Sequence, residues 1–89
     1  MSTRLGSPQV YRERGLRFAI YYNEGNEPPH IHVERGDGRD IAAKFWLNPI
    51  ELCWNEGFNA GEIRWIVKQL NEHHARFMEE WYVIEAKKR

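Results

Sequence analysis

Apolar and polar side chains alternate in the first half of the chain. The alternation runs through residues 16–22, 30–35 and 39–47. A period of two sends successive side chains to opposite faces of a β-strand, so each stretch predicts a half-buried strand. Residues 10–12 predict a further short edge strand, with Gly15 in the turn that follows. We therefore expect an antiparallel sheet of three to four short strands.

Residues 36–38, Gly-Asp-Gly, are typical of a hairpin turn between two of these strands. The apolar residues of both strands, such as Ile31 and Phe45, must face the same side of the sheet. A register shift of one residue would turn every side chain to the other face. The loop must therefore contain an odd number of residues, and we predict three. Paired residue numbers should then add to an even total.

The pattern becomes helical in the second half of the chain. Residues 48–51, Asn-Pro-Ile-Glu, are types preferred at a helix start and predict a short helix that ends near Gly57. A second start at Asn59 opens a long C-terminal helix. Its apolar stripe comprises Ile63, Ile66, Val67, Leu70, His74, Phe77, Met78, Trp81 and Ile84. The predicted fold is α+β, with both helices packed on one face of the sheet.

The long helix is predicted to be longer than the sheet that it covers. About 27 helical residues would extend roughly 40 Å, whereas a seven-residue strand covers about 23 Å. Either the helix breaks near residues 71–74 and folds back, or its end packs on a partner protein or a second copy. The residues predicted to bind a partner are Trp46, Trp65, Phe77 and Trp81. For Trp65, packing under the helix predicted at 48–57 is an equally weighted alternative to partner binding. For Trp46, the alternative is that the long helix packs over it.

Composition narrows the functional classes. The chain has 89 residues, of which 42% are hydrophobic, and its 13 basic and 13 acidic residues cancel in formal charge. Zero net charge disfavours general attraction to nucleic acid or to an anionic membrane. Apolar runs are too short to span a bilayer, and residues 1–9 lack a signal-peptide pattern, so we expect a cytoplasmic protein. We expect a flexible extension over residues 1–7, one domain over residues 8–89, and a buried, apolar role for the single cysteine, Cys53.

The polar side of the predicted sheet carries the candidate chemistry. It collects Arg17, Tyr21, His30, His32 and Lys44. A histidine there could act as a general base on an RNA 2′-hydroxyl while a cation stabilises the developing charge, which predicts a metal-independent ribonuclease or a nucleic-acid-binding surface. His30 and His32 are also weak candidates for metal ligands, with Glu34 or the Glu24/Glu27 loop as a third. A solvated or partner-covered sheet face is the interpretation that we favour, and we expect no cofactor.

One segment resembles a known family. Asn23 to Gly36 reads NEGNEPPHIHVERG, followed by AKFWL at residues 43–47 and by Pro49, Gly57, Glu62 and Trp81. These residues resemble the domain of unknown function 4160 family over about residues 8–82, with EPPHIHV as the most specific element. The resemblance implies a small bacterial protein, often encoded beside a second small protein in pairs similar to toxin–antitoxin systems. It implies no catalytic residues. We therefore expect an interaction module that binds a protein encoded nearby or a second copy of itself, and leave open whether it is an enzyme.

Overall fold

A computed structural model describes residues 9–21, 25–36 and 41–87. In chain order its elements are β1 (Gln9–Glu13), β2 (Leu16–Ala19), β3 (His30–Arg35), β4 (Ala42–Leu47), β5 (Ile50–Glu56), α1 (Ala60–Glu72) and α2 (His74–Ala86). The strands pair antiparallel in the order in which they occur in the chain. The α+β class is confirmed, although the sheet has five strands rather than three or four. The extension predicted over residues 1–7 lies outside the described residues.

The register between β3 and β4 follows the predicted parity. His30 pairs with Trp46 and His32 with Lys44, so the residue numbers of each pair add to an even total. Apolar residues of both strands consequently face the helices, because paired residues share a face of the sheet. A three-residue loop at residues 36–38 would pair Arg35 with residue 39, and that prediction was wrong. The Arg35 N–H instead donates to the Ile41 carbonyl at 3.1 Å, two positions further along the chain. Residues 37–40 themselves are outside the described part of the chain.

Strand β5 occupies the segment for which a short helix was predicted, and that prediction was wrong. Asn48 and Pro49 form the turn between β4 and β5. Both residue types favour turns as strongly as helix starts, so the pattern was ambiguous. A period-two signal was present in the same segment, at Ile50, Leu52 and Trp54.

A β-bulge interrupts the pairing of β5 with β4. Lys44 pairs with Trp54 and Phe45 with Leu52, which leaves Cys53 as an additional residue on β5. Cys53 is exposed, contrary to the expectation that it is buried. The reason is that β5 lies at the edge of the sheet, where residues 51–56 are all exposed.

The C-terminal helix breaks at His73, whose backbone angles are φ −112° and ψ 23°. Each of the two helices has 13 residues and is about 20 Å long, close to the length of a strand. Beyond the break, Phe77 stacks on Phe18 with ring centroids 5.9 Å apart. Phe77 and Trp81 are 0% and 3% exposed. Both were predicted to bind a partner, but both are buried in the core of the chain itself.

The turn from β5 into α1 is held by side-chain hydrogen bonds. The Asn55 side chain bonds the backbone N–H and C=O of Phe58, at 3.1 and 3.0 Å. Asn59 then forms a reciprocal capping box with Glu62, at 2.8 and 2.9 Å. The predicted helix start at Asn59 is confirmed. No helix in the described part of the chain is long and apolar enough to cross a membrane.

The core lies between the helices and one face of the sheet. It consists of Val10, Leu16, Phe18, Ile20, Ile31, Val33, Ala43, Phe45, Leu47, Phe58, Ile66, Leu70, Phe77, Trp81 and Ile84. The opposite face of the sheet is left for polar side chains.

Candidate functional site

The sheet face that points away from the core is called the polar face here. It presents Arg17, Tyr21, His32, Glu34, Lys44, Trp46 and Trp54. His30 lies at one end of this face, with its ring 5.6 Å from the ring of His32. The structure therefore brings together all five residues that were candidates for chemistry: Arg17, Tyr21, His30, His32 and Lys44.

Glu34 connects two of these candidates. Its carboxylate accepts a hydrogen bond from Arg17 at 2.8 Å and another from the Tyr21 hydroxyl at 2.6 Å. Burial and the Glu34 hydrogen bond raise the pKa of Tyr21 to about 12. Burial acts to raise the pKa of Glu34, but the hydrogen bonds from Tyr21 and Arg17 outweigh it and lower that pKa. Tyr21 therefore stays protonated at neutral pH, and Glu34 offsets the charge of Arg17.

Lys44 is also paired with a carboxylate. Its Nζ donates to Glu27 at 2.6 Å and lies 4.8 Å from the centre of the Trp46 ring. Only 12% of the Lys44 side chain is exposed. The hydrogen bond from Lys44 lowers the pKa of Glu27. The positive charge of Lys44 is consequently compensated at the site, which weakens its attraction for phosphate.

The two histidines of the H-x-H motif have different surroundings. His30 is 5% exposed, and its Nδ1 donates to the carbonyl of Pro28 at 2.9 Å. His32 is half-buried, with its ring 5.0 Å from Tyr21 and 5.9 Å from Trp54. Its Nδ1 is buried without a hydrogen-bond partner among the described residues. Burial, followed by the proximity of His30, lowers the pKa of His32, so this ring is neutral at neutral pH.

The polar face offers little to a metal ion. Among residues 9–21, 25–36 and 41–87, no group of three or more His, Cys, Asp or Glu side chains is placed to hold one. Glu34, a predicted third ligand for His30 and His32, is hydrogen-bonded to Arg17 and Tyr21 instead. Glu27, another predicted third ligand, lies 3.5 Å from Nδ1 of His30, but the same carboxylate oxygen is paired with Lys44 at 2.6 Å. Glu24 lies outside the described residues.

The two remaining tryptophans of the predicted partner surface are partly exposed. Trp46 lies on the polar face beside Lys44. Trp65 lies on α1, where its ring is 6.4 Å from that of Phe18 and the guanidinium carbon of Arg14 is 4.6 Å from its centre. The alternative that Trp65 packs under a helix at residues 48–57 was wrong, because residues 50–56 of that segment are β5.

The outer edge of β5 is a feature that the sequence analysis missed. No described strand pairs with that edge, and beside it Leu52 and Trp54 are 42% and 39% exposed. Because residues 48–57 were predicted to form a helix, no edge strand was expected there. The alternation of apolar residues from Ile50 to Trp54 is the signal that could have predicted this strand.

Comparison with known families supports the resemblance carried by the EPPHIHV segment. The family profile described as "Domain of unknown function (DUF4160)" matches residues 15–82. The chain belongs to this family. The match begins at the turn before β2 and ends within α2, so it includes the polar face and β5. Comparisons with curated proteins and with solved structures found no match.

Proposed function

We propose that this DUF4160 protein is an interaction module of a two-gene, toxin–antitoxin-like system in the bacterial cytoplasm. It binds a partner protein through the outer edge of β5 and the adjoining polar face. The observation that carries the proposal is the outer edge of β5, with which no strand among the described residues pairs and which is flanked by exposed Leu52 and Trp54. Such an edge presents backbone donors and acceptors together with apolar surface, which suits the addition of another strand.

The two edges of the sheet differ in protection. At β1, Arg76 donates to the carbonyl of Val10 at 2.6 Å, and Tyr11 contacts Phe77 of α2. At β5, residues 51–56 are exposed. Soluble proteins usually shield long apolar edge strands, because exposed ones promote association with other chains. The difference between the edges supports β5 as the binding edge.

The apolar stripe of the C-terminal helices is a weaker candidate interface. Its central residues, Ile66, Leu70 and Phe77, are fully buried within the chain. The partner-binding set proposed from the sequence is therefore revised. Phe77 and Trp81 leave it because they are buried. Trp65 leaves it because it lies on α1 beside Phe18 of β2 rather than at β5. Leu52 and Trp54 join Trp46. Tryptophan is enriched among residues that dominate binding energy at protein interfaces.

Co-expression with the product of the adjacent gene tests the proposal, with the partner tagged for purification. We expect stable co-purification that Trp54→Ser weakens by about tenfold or more. Tyr82→Ser is the matched control, because Tyr82 is an exposed aromatic residue on α2, 58% exposed. Absence of co-purification, or equal loss with both variants, would contradict the proposal.

A small ribonuclease or nucleic-acid-binding protein is the second candidate. The observation in its favour is the lowered pKa of His32, because a neutral imidazole beside Tyr21 and Lys44 could accept a proton. The carboxylates paired with Arg17 and Lys44 count against it. Replacing both histidines by Ala tests it, and His32→Ala alone separates chemistry from folding because His30 is buried. Absence of RNA binding and cleavage by the wild-type protein would eliminate this candidate, and cleavage that survives in a folded His32→Ala protein would exclude His32 as its base.

A further inference from the structure

We infer that the partner contributes an extended, basic segment that pairs antiparallel with β5 as a sixth strand. The inference rests on the proposed function and specifies the chemistry of the partner. Strand β5 carries two charged residues, Glu51 and Glu56, and both are exposed. It has no lysine or arginine. A segment that pairs along this edge would therefore meet only negative charge from the strand itself.

The side chains on the two faces of β5 determine which residue types the added strand needs on each face of the sheet. Trp54 pairs with Lys44 and points to the polar face, whereas Leu52 pairs with Phe45 and points to the helix side. Side chains of directly opposed residues in neighbouring strands contact each other. The added segment therefore needs one apolar residue on each face near its centre.

Strand β4 shows the spacing that a neighbour of β5 requires. Glu56, Trp54 and Glu51 pair with residues 42, 44 and 46 of β4, at regular intervals of two. The bulge at Cys53 brings the two glutamates onto the polar face on either side of Trp54. On a regular strand at the outer edge, the two residues opposite Glu51 and Glu56 would likewise be four positions apart. These are the positions at which we place basic residues. Read antiparallel to β5, the pattern is Lys, any residue, apolar, apolar, Lys.

A second copy of the chain is a poorer occupant of this edge. Pairing two β5 strands would bring Glu51 and Glu56 of both copies to one seam without a cation from either strand. The bulge at Cys53 would also occur in both strands and disturb their ladder twice. Charge complementarity therefore favours a basic segment of another protein.

Peptide titration of the isotopically labelled protein tests the inference by NMR. The probe is a synthetic peptide of sequence Thr-Thr-Lys-Thr-Val-Val-Lys-Thr-Thr. One control peptide has both lysines replaced by glutamate, and another has the same composition with the lysines adjacent. We expect amide shift changes centred on residues 50–56 and binding about tenfold tighter than for either control, decreasing with added salt. Equal binding of the three peptides, or shift changes centred on another element, would overturn the inference.

Charge reversal on the protein provides the complementary measurement. The double variant Glu51→Lys with Glu56→Lys should reverse the preference, so that the glutamate peptide binds more tightly than the lysine peptide. Glu79→Lys, at an exposed position on α2, is the control and should leave the preference unchanged. An unchanged preference in the double variant would overturn the inference, as would sedimentation of the free protein as a dimer that Trp54→Ser dissociates.

The inference and the proposed function can fail separately. If the adjacent gene product co-purifies equally with wild type and with the double glutamate variant, the partner does not use a basic segment at β5, while the interaction-module proposal stands. If the lysine peptide binds β5 but the adjacent gene product does not co-purify, the two-gene proposal fails and the recognition chemistry of β5 stands.

Discussion

The imidazole ring of His30 lies 4.9 Å from the indole ring of Trp81, measured between ring centroids. His30 belongs to the EPPHIHV segment, and Trp81 lies in the second half of α2. Both side chains are buried. The first histidine of the motif therefore joins the sheet to α2, whereas His32 faces Tyr21 and Trp54 on the polar face.

This difference predicts unequal effects of replacing the two histidines. His30→Ala should lower the free energy of unfolding by about 2 kcal/mol, because it leaves a cavity beside Trp81 and the Pro28 carbonyl without its donor. His32→Ala should cost less than about 1 kcal/mol, because the Nδ1 that it removes has no partner among the described residues. Urea unfolding of both variants measures the difference. A larger loss for His32→Ala would contradict the structural role assigned to His30.

Replacing Glu34 by Gln should lower the pKa of Tyr21. The wild-type value of about 12 reflects burial first and the Glu34 hydrogen bond and charge second. Removing the charge should move the pKa of Tyr21 part of the way toward its ordinary value of 10.0, because burial remains. Ultraviolet absorbance titration of tyrosinate measures it, and Tyr21→Phe identifies the signal. An unchanged Tyr21 titration in Glu34→Gln would show that this hydrogen bond is absent in solution.

The lowered pKa of His32 predicts a loss of stability on mild acidification. The unfolded chain binds a proton at His32 more readily than the folded chain, because burial disfavours the charged ring. The stabilisation is therefore present above the ordinary pKa of 6.5 and is lost as the pH falls through the lower folded-state pKa. The free energy of unfolding should decrease on acidification from above 6.5, and His32→Gln should decrease less. Glu34 contributes in the same direction only in a more acidic range, below its ordinary pKa of 4.5. Parallel stability curves for wild type and His32→Gln would refute this assignment.

The capping box at the start of α1 predicts a measurable loss when Asn59 is replaced by Ala. The substitution removes the acceptor for the Glu62 N–H and should cost about 1 kcal/mol of stability. Asn71→Ala on the same helix is the control and should be neutral or slightly stabilising, because Ala has the higher helix propensity. Thermal or urea unfolding compares the two. A similar loss in both variants would mean that the loss in Asn59→Ala does not come from the capping box.

Much of the fold could be predicted from local pattern. Alternation identified β2 to β4 and the face to which their side chains point, and parity limited β3 and β4 to registers in which paired residue numbers add to an even total. The residue types at Asn59 and Glu62 identified the start of α1. Alternation in the sequence also predicted that the candidate residues of the polar face lie on the same side of the sheet. These features depend on residues that are close in the chain or on the alternation of apolar and polar residues. They can therefore be predicted from the sequence alone.

The remaining features depended on long-range contacts. Residues 50–56 contain signals for a helix start and for a strand. The segment is a strand because it pairs with β4, and the hydrogen bonds of that pairing outweigh small differences in intrinsic secondary-structure preference. The C-terminal helix breaks at His73. Phe77 and Trp81, beyond the break, are buried in the core rather than exposed to a partner. The sequence by itself thus determined the family, the first four strands and the polar face. Only the tertiary structure decided which edge of the sheet stays open, because that depends on which segments of the chain cover one another.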